Sequence, residues 1–223
     1  MIVLLILTAI TGAVFQVVNL TTERSSAEQT KLDMFQEARE FMDQMTRDLR
    51  LAGFPNARNY APTVLAEPPS EDFRVAVGLV KIADGEVWFE GDVDGSGTVS
   101  VVRYFLDTST SNGCPCLKRS QLPKVAGSPY TGQTTPSYDI EVQGVTNTNI
   151  FSAYINAAQQ TLPLDFDADS DTIASIDTIQ AVLSLQGALI DLKTKVKPAT
   201  SLVTTVRLNN CSLATSGMQS SCF

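Results

Sequence analysis

The chain has 223 residues, with 16 Lys and Arg against 24 Asp and Glu, no His, and a formal net charge of -8. The acidic balance argues against a nucleic-acid-binding protein, because such proteins usually carry a basic patch or stripe. The lack of histidine removes the commonest general base near neutral pH and the commonest metal ligand. The sequence also contains no nucleophile motif and no phosphate-binding glycine loop. We therefore expect no catalytic site and no required cofactor, with calcium as a possible bound ion.

Residues 1–20 are uncharged and predominantly apolar. A bilayer-spanning helix needs roughly 20 such residues, and Thr8 and Thr11 can return their hydroxyls to the helix backbone. A cleaved signal peptide would have a basic start, but the first Lys or Arg is Arg24; a buried core helix is the other alternative. We expect a retained membrane helix whose candidate residues for membrane or filament packing are Leu4, Leu5, Leu7, Ile10, Val14, Phe15 and Val18.

Residues 21–54 are charged and favour a helix, with neither Pro nor Gly between Thr21 and Ala52. Gly53 and Pro55 then provide helix stop signals. The pattern predicts one continuous helix from residue 1 to about residue 52, roughly 78 Å long at 1.5 Å per residue. Its second half carries an apolar stripe at helical spacing, formed by Met34, Ala38, Phe41, Met45 and Leu49 and widened by Phe35, Met42 and Ala52.

Residues 55–223 read as a β-rich globular domain. Half-buried strands are predicted at residues 73–77 and 85–90, and a longer strand at 98–106. Residues 107–149 read as loops with short strands, and two late strands at 175–187 and 202–208 flank a lysine-containing excursion with Lys193, Lys195 and Lys197. Strands that follow one long helix predict an α+β fold in which the helix packs on an antiparallel sheet.

Four cysteines allow three fully paired connectivities. Cys211 and Cys222 enclose a short loop rich in Ser, Thr and Gly, which makes them a plausible disulfide. Cys114 and Cys116 are too closely spaced for an ordinary zinc site, and their partners stay open. Because disulfides are rare in the cytosol, we expect the domain to lie outside the cytoplasm.

Two acidic segments are candidate calcium sites. The first contains Glu90, Asp92, Asp94, Ser96 and Thr98, whose spacing and glycines suit a turn that directs several oxygens at one hard cation. It lacks the acidic residue that closes a full calcium loop, since Val101 stands there, and Asp-Gly alone is a common hairpin turn. The alternative is therefore a plain turn between two strands.

The second acidic segment has alternating carboxylates. If this segment is extended, alternate side chains lie on one side, where their mutual repulsion favours either a bound cation or a solvated loop. Its residues are Asp165, Asp167, Asp169 and Asp171.

Four segments resemble a known family. The N-terminal MIVLLILTAITGAVFQ resembles the start of type IV pilins and secretion pseudopilins. The segment FQEAREFMDQMTRDLRLAGFP, at residues 35–55, is similar to the helix end of the PilW-type minor pilins. SIDTIQAVLSLQG at 175–187 and SLVTTVRLNN at 201–210 resemble the last paired strands of that family. The likeness covers about the first 55 and the last 50 residues.

The resemblance implies a structural minor pilin of a type IV pilus, which helps to prime assembly and lies near the filament tip, with roles in motility and cell adhesion. Its implied partners are major and minor pilins, bound through the N-terminal helix, and the inner membrane before assembly. The domain would be periplasmic and later part of an extracellular filament. One alternative is a J-type minor pseudopilin of a type II secretion system, and another is a membrane-tethered binding domain without a filament role.

One family feature is missing from the sequence. Family members are made with a short basic leader that ends in glycine, and a glutamate follows a few residues later. We expect that these residues precede Met1 in the full gene product, or that the chain is a subunit without the glutamate, as tip subunits can be. Processing by a prepilin peptidase and N-methylation are implied by the resemblance alone.

Overall fold

The computed structural model describes residues 2–110, 113–188, 190, 195–210, 212–214 and 219–220, with the backbone alone at residues 5, 9, 23, 27, 219 and 220. The helices are α1 (Ile2–Leu51) and α2 (Phe166–Ala174). Within the described residues, the strands are β1 (Leu79–Ala83), β2 (Glu86–Gly91), β3 (Ser100–Asp107), β4 (Cys116–Pro123), β5 (Asp139–Gln143), β6 (Phe151–Ile155), β7 (Ala158–Gln159), β8 (Leu164–Asp165), β9 (Thr178–Gln186), β10 (Ala199–Arg207), β11 (Ser212–Leu213) and β12 (Gln219–Ser220).

Helix α1 confirms the predicted single long helix and ends one residue before the predicted end. At 1.5 Å per residue it is roughly 75 Å long. Its C-terminal part buries most of the predicted stripe, because helical spacing places those residues on the face that meets the domain. Met34 is half-buried at the start of this contact, whereas Phe35 is exposed, so the prediction that Phe35 widens the stripe is wrong. The buried members are Ala38, Phe41, Met42, Met45, Leu49 and Ala52.

Two antiparallel sheets form most of the domain. The larger has six strands in the order β5-β4-β3-β2-β1-β8, and the smaller has four in the order β10-β9-β6-β7. The last long strands, β9 and β10, pair over their whole length from Thr178↔Arg207 to Gln186↔Ala199. Both late strands were predicted from the sequence, although β10 begins at residue 199 rather than 202, and their pairing is the one that the family resemblance implied. A short pair, β11 and β12, lies near the C-terminus.

The core lies between α1 and the sheets, because the helix contacts β10 of the smaller sheet and β2 and β5 of the larger sheet. Phe41 of α1 meets the ring of Tyr104 on β3 edge-on, with the ring centroids 5.5 Å apart. Tyr104 also stacks on Phe89 of β2 at 6.2 Å. These three rings bury a large apolar area and fix the helix against the middle of the six-stranded sheet. The predicted α+β fold is therefore confirmed.

Two parts of the strand prediction are wrong. Residues 73–77 do not form a strand; they run as irregular chain before β1, although Val75, Ala76 and Val77 are buried. The Val77 N–H donates to Oε2 of Glu90 at 3.0 Å, so this side chain accepts the hydrogen bond that a paired strand would accept. Conversely, the region predicted as loops with short strands contains β4, which pairs with β3 along its length.

Candidate functional site

The most prominent surface feature is the N-terminal half of α1. Its large apolar side chains are between 47 and 79 % exposed, and the helix is long and apolar enough to cross a membrane. Of the residues predicted for membrane or filament packing, Leu5 lies outside the described side chains. The remaining ones are exposed in this chain, namely Leu4, Leu7, Ile10, Val14, Phe15 and Val18.

The threonine hydroxyls of this half bond within the helix itself. The Thr8 hydroxyl donates to the Leu4 carbonyl at 3.0 Å, and the Thr11 hydroxyl donates to the Leu7 carbonyl at 2.7 Å. Thr21 repeats the pattern further along the helix. A helix that satisfies its own backbone and hydroxyl groups can enter hydrocarbon, where each unpaired polar group would cost several kcal/mol. The segment is thus suited to lipid or to a bundle of similar helices.

The C-terminal end of α1 is joined to the larger sheet through its backbone. The Gly53 N–H donates to the Glu90 carbonyl, and the Asp92 N–H donates to the Phe54 carbonyl, each at 2.8 Å. Gly91 lies between these two bonds, and a Cβ there would come within 2.5 Å of the Leu51 carbonyl oxygen. Only glycine allows so close an approach. The helix end is thereby fixed to β2.

Asn210 makes a second connection at the same end. Its side-chain Nδ2 donates to the carbonyls of Arg50 at 2.9 Å and Ala52 at 3.0 Å. The last carbonyls of a helix have no intrahelical donor. Asn210, which follows β10, therefore satisfies two carbonyl oxygens at the end of α1. The sequence analysis placed Asn210 in a family-like segment but gave it no role.

A buried polar cluster links the C-terminal part of α1 to the larger sheet. This cluster was not predicted from the sequence. Asp48 of α1 is 6 % exposed. Its Oδ2 accepts from the Tyr104 hydroxyl at 2.7 Å and from Arg119 Nη2 at 2.8 Å. Burial, followed by the nearby Asp48 carboxylate, raises the pKa of Tyr104 well above its usual value. The cluster is internal and its charges are paired, so its role is to position the helix on β3 and β4.

The first acidic segment divides into a buried part and a loop. Glu90, on β2, is fully buried, and its Oε2 accepts from Lys124 Nζ at 2.7 Å. Burial raises the pKa of Glu90, and the charge of Lys124 partly offsets this. Glu90 is thus engaged in a buried ion pair through Oε2, while its Oε1 is buried and has no hydrogen-bond partner among the described residues.

The remaining residues of this segment lie in the loop between β2 and β3. The Gly97 N–H donates to Asp92 Oδ2 at 2.9 Å, and the Ser96 N–H donates to Asp94 Oδ1 at 3.0 Å. The Thr98 N–H donates to Ser96 Oγ at 3.3 Å. The structure therefore places Asp92, Asp94 and Ser96 in one loop.

The second acidic segment is not extended, so the condition under which its carboxylates would align on one side is not met. Asp165 is the N-cap of α2, and its Oδ1 accepts from the N–H groups of Asp167 and Ala168 at 3.0 and 2.8 Å. Asp167, Asp169 and Asp171 belong to the helix, where side chains two residues apart point in different directions. Asp165 therefore has a local explanation as a cap.

The described cysteines form one disulfide, between Cys114 and Cys116. Cys211 and Cys222, for which a disulfide was predicted, lie outside the described residues, as does Lys193. Asp107 lies close to the disulfide, and its carboxylate oxygen and the two sulfurs come within 4.8 Å of one another. This group is no metal site in the oxidised protein, because disulfide sulfurs are not thiolates.

Comparisons with known proteins found no match among protein-family models, curated proteins or solved structures. A functional proposal therefore depends on the geometry described above and on the sequence patterns that led to it.

Proposed function

We propose that this chain is a structural, non-catalytic filament subunit of the type IV pilin class, a minor subunit that primes assembly and lies near the filament tip. The observation that carries the proposal is the single helix α1, Ile2–Leu51, whose apolar half is exposed while its other half is the spine of the domain. One element thereby combines a hydrophobic anchor with a folded head. The three segments that resemble PilW-type minor pilins support the same assignment.

The physical behaviour of such a helix explains why one segment serves two stages. Before assembly, the apolar half lies in the inner membrane and holds the head on the periplasmic side. Its exposed Ile, Leu, Val and Phe side chains form a surface too apolar to remain in water. After extraction from the lipid, the same surface packs against the helices of neighbouring subunits in the filament.

The connections at the end of α1 suit this role. Two backbone hydrogen bonds to β2, the Asn210 side chain and the Asp48 cluster all fix the helix to the head. A force along the helix is therefore transmitted to the whole domain. The disulfide between Cys114 and Cys116 is consistent with an oxidising compartment outside the cytoplasm.

A deletion strain tests the proposal and separates it from the secretion alternative. A minor pilin predicts loss of surface filaments and of twitching motility, with both restored by the wild-type gene. Retention of exported proteins in the periplasm, with filaments intact, would instead indicate a secretion pseudopilin. A strain normal in both respects would leave only a membrane-tethered domain and would reject the filament role.

Complementation with two matched variants tests the helix directly. Val14→Asp places a charge in the apolar half, and Ser26→Asp places the same charge on an exposed position of the same helix beyond that half. A carboxylate near the centre of a spanning helix costs about 3 kcal/mol on insertion scales. We expect Val14→Asp to abolish complementation and Ser26→Asp to retain it. Equal complementation by the two variants would contradict a role for the apolar half.

A further inference from the structure

The loop between β2 and β3 is longer than a tight hairpin requires. Gly91 and Ser100 form the last pair of the two strands, so residues 92–99 lie between them. A hairpin closed by Asp-Gly needs a loop of about two residues. The Asp94-Gly95 pair therefore does not serve as the tight turn that the sequence offered as an alternative. Gly95 and Gly97 both have positive φ, +69° and +80°, which bends the chain back toward Asp92.

Asp92 has an oxygen that the protein leaves without a partner. The residue is only 8 % exposed. Its Oδ2 accepts from the Gly97 N–H, but its Oδ1 is buried and has no hydrogen-bond partner among the described residues. An unpaired buried polar atom costs about 1–3 kcal/mol, and more when it is charged. A carboxylate oxygen in this position therefore indicates a ligand that the protein itself does not supply.

No Lys or Arg among the described residues donates a hydrogen bond to Asp92 Oδ1. Lys124, a fully buried cation, donates its three N–H groups to the Ser70 carbonyl at 2.8 Å, the Val75 carbonyl at 2.7 Å and Glu90 Oε2 at 2.7 Å. An ammonium has three donors, so Lys124 has none left for Asp92. Within the described part of the chain, neither Asp92 nor Asp94 belongs to a salt bridge.

A second carboxylate lies beside the first. Asp94 is exposed, and its Oδ2 has only a long contact, 3.4 Å, with Gln121 Nε2. The same loop backbone holds both side chains, since the Gly97 N–H donates to Asp92 Oδ2 and the Ser96 N–H donates to Asp94 Oδ1. Two carboxylates thus lie in one short loop, where a bound cation would offset their charges.

We propose that this loop binds one Ca²⁺ ion through the side chains of Asp92, Asp94 and Ser96 and the carbonyl of Thr98. Oxygen ligands on alternate residues, with a glycine at the sixth position for the sharp turn, are the pattern of the twelve-residue calcium loop. Here Asp92 is the first position and Gly97 the sixth. The proposal does not use Glu90, which Lys124 already neutralises, and it is independent of the filament assignment.

The composition of the site also sets its expected strength. The twelfth position of a calcium loop supplies a bidentate glutamate, but counted from Asp92 that position is Arg103, whose guanidinium stacks 4.1 Å above the Trp88 ring. With two carboxylates and no bidentate ligand, we expect a dissociation constant on the order of 10⁻⁴–10⁻³ M, the range of extracellular calcium modules. Such a site is filled outside the cell and empty in the cytosol.

Isothermal titration of the full chain in mild detergent with CaCl₂, after treatment with a chelator, tests the proposal. We expect one site per chain, and a rise of a few degrees in the melting temperature at 5 mM Ca²⁺, on the order of ten times the dissociation constant. The variant Asp94→Asn removes an exposed ligand without opening the core, and we expect it to weaken binding at least tenfold. Asp92→Asn is expected to do the same if it folds.

The matched control is Asp171→Asn, which removes an exposed carboxylate of the second acidic segment and should bind Ca²⁺ like the wild type. Absence of Ca²⁺ binding at millimolar concentration would overturn the proposal, since Asp92 would then be served by water alone. Equal loss of binding in Asp94→Asn and Asp171→Asn, or loss in Asp171→Asn alone, would also overturn it. MgCl₂ at the same concentration should bind more weakly, because Mg²⁺ demands stricter octahedral geometry.

Discussion

At the residue scale, the carboxylate of Asp48 links α1 to two strands of the larger sheet. The residue lies on the buried face of the helix, at helical spacing from Phe41, Met45 and Ala52. One oxygen accepts from both the Tyr104 hydroxyl and the Arg119 guanidinium. Because Arg119 is itself mostly covered, removal of the carboxylate would leave a charge and a hydroxyl without their acceptor.

We expect Asp48→Ala to lower the free energy of unfolding by about 3–5 kcal/mol, the usual cost of removing one partner from a buried ion pair. Urea unfolding of the full chain in mild detergent measures the change. Asp43→Ala, on the exposed side of the same helix, is the matched control and should stay within about 0.5 kcal/mol of the wild type. A similar loss in both variants would show that the cluster contributes nothing specific.

Asp72 gives the domain a defined sensitivity to acid. Its carboxylate accepts side-chain and backbone hydrogen bonds from Arg74. The Arg74 guanidinium is the main cause that holds the pKa of Asp72 far below its usual range. Because the folded-state pKa is lower than the unfolded value of about 3.9, this contribution to stability is present above pH 4 and is lost as the pH falls through the folded-state pKa.

We therefore expect the urea midpoint of the wild type to fall between pH 4 and pH 2. Asp72→Asn should be less stable at pH 7 but show a flatter decline over the same window, because it no longer takes up the proton. Asp171→Asn, at an exposed position, should follow the wild-type slope. An unchanged slope in Asp72→Asn would mean that other carboxylates, such as Asp107, account for the acid sensitivity.

At the scale of single elements, the end of α1 is where the helix and the head become one unit. Asn210 donates to two helix carbonyls, and its neighbour Asn209 is exposed. We expect Asn210→Ala to lower the free energy of unfolding by about 1–2 kcal/mol, at about 1 kcal/mol per hydrogen bond. Asn209→Ala, the adjacent and chemically identical change, should have almost no effect. Equal effects would show that the helix carbonyls find water as readily as Asn210.

The two halves of α1 also differ in what they contribute to folding. On the face of α1 that meets the domain, the apolar side chains are half-buried at Met34 and buried from Ala38 onward. The described apolar side chains of residues 2–20 are exposed. We expect a chain that starts at residue 29 to stay in solution without detergent and to melt within a few degrees of the full chain. Recovery in the supernatant after centrifugation measures the solubility, and circular dichroism measures the melting temperature. A truncated chain that unfolds or aggregates would mean that the first half stabilises the head.

At the scale of the whole molecule, the local periods of the residues predicted the long helix, and the order of one helix followed by strands predicted the α+β class. The pairing of β9 with β10 was implied by the family resemblance alone. The sequence prediction failed where tertiary contacts override the local pattern. Residues 73–77 have strand-like composition, yet the Ala76 N–H donates to the Pro55 carbonyl and the Val77 N–H donates to a buried glutamate side chain. The aspartates at 165–171 alternate like a strand, yet Asp165 starts a helix.

The missed Asp48 shows a different limit. Its spacing from Phe41, Met45 and Ala52 places it on the buried face, and that spacing was available in the sequence. Its partners Tyr104 and Arg119, however, come from strands far along the chain. Only the fold brings the three together, so the pattern of the helix alone does not reveal their ion pair. The unpaired oxygen of Asp92 is likewise visible only once burial is known.

If this chain is a filament subunit as proposed, the apolar half of α1 leaves the membrane and packs against neighbouring subunits. A photo-crosslinking amino acid at residue 14, in cells that make surface filaments, tests this most directly. After the filaments are sheared from the cells, we expect this chain in the sheared fraction, crosslinked through residue 14 to other subunits. A chain that stays with the cell membranes, with adducts to lipid alone, would contradict the filament role.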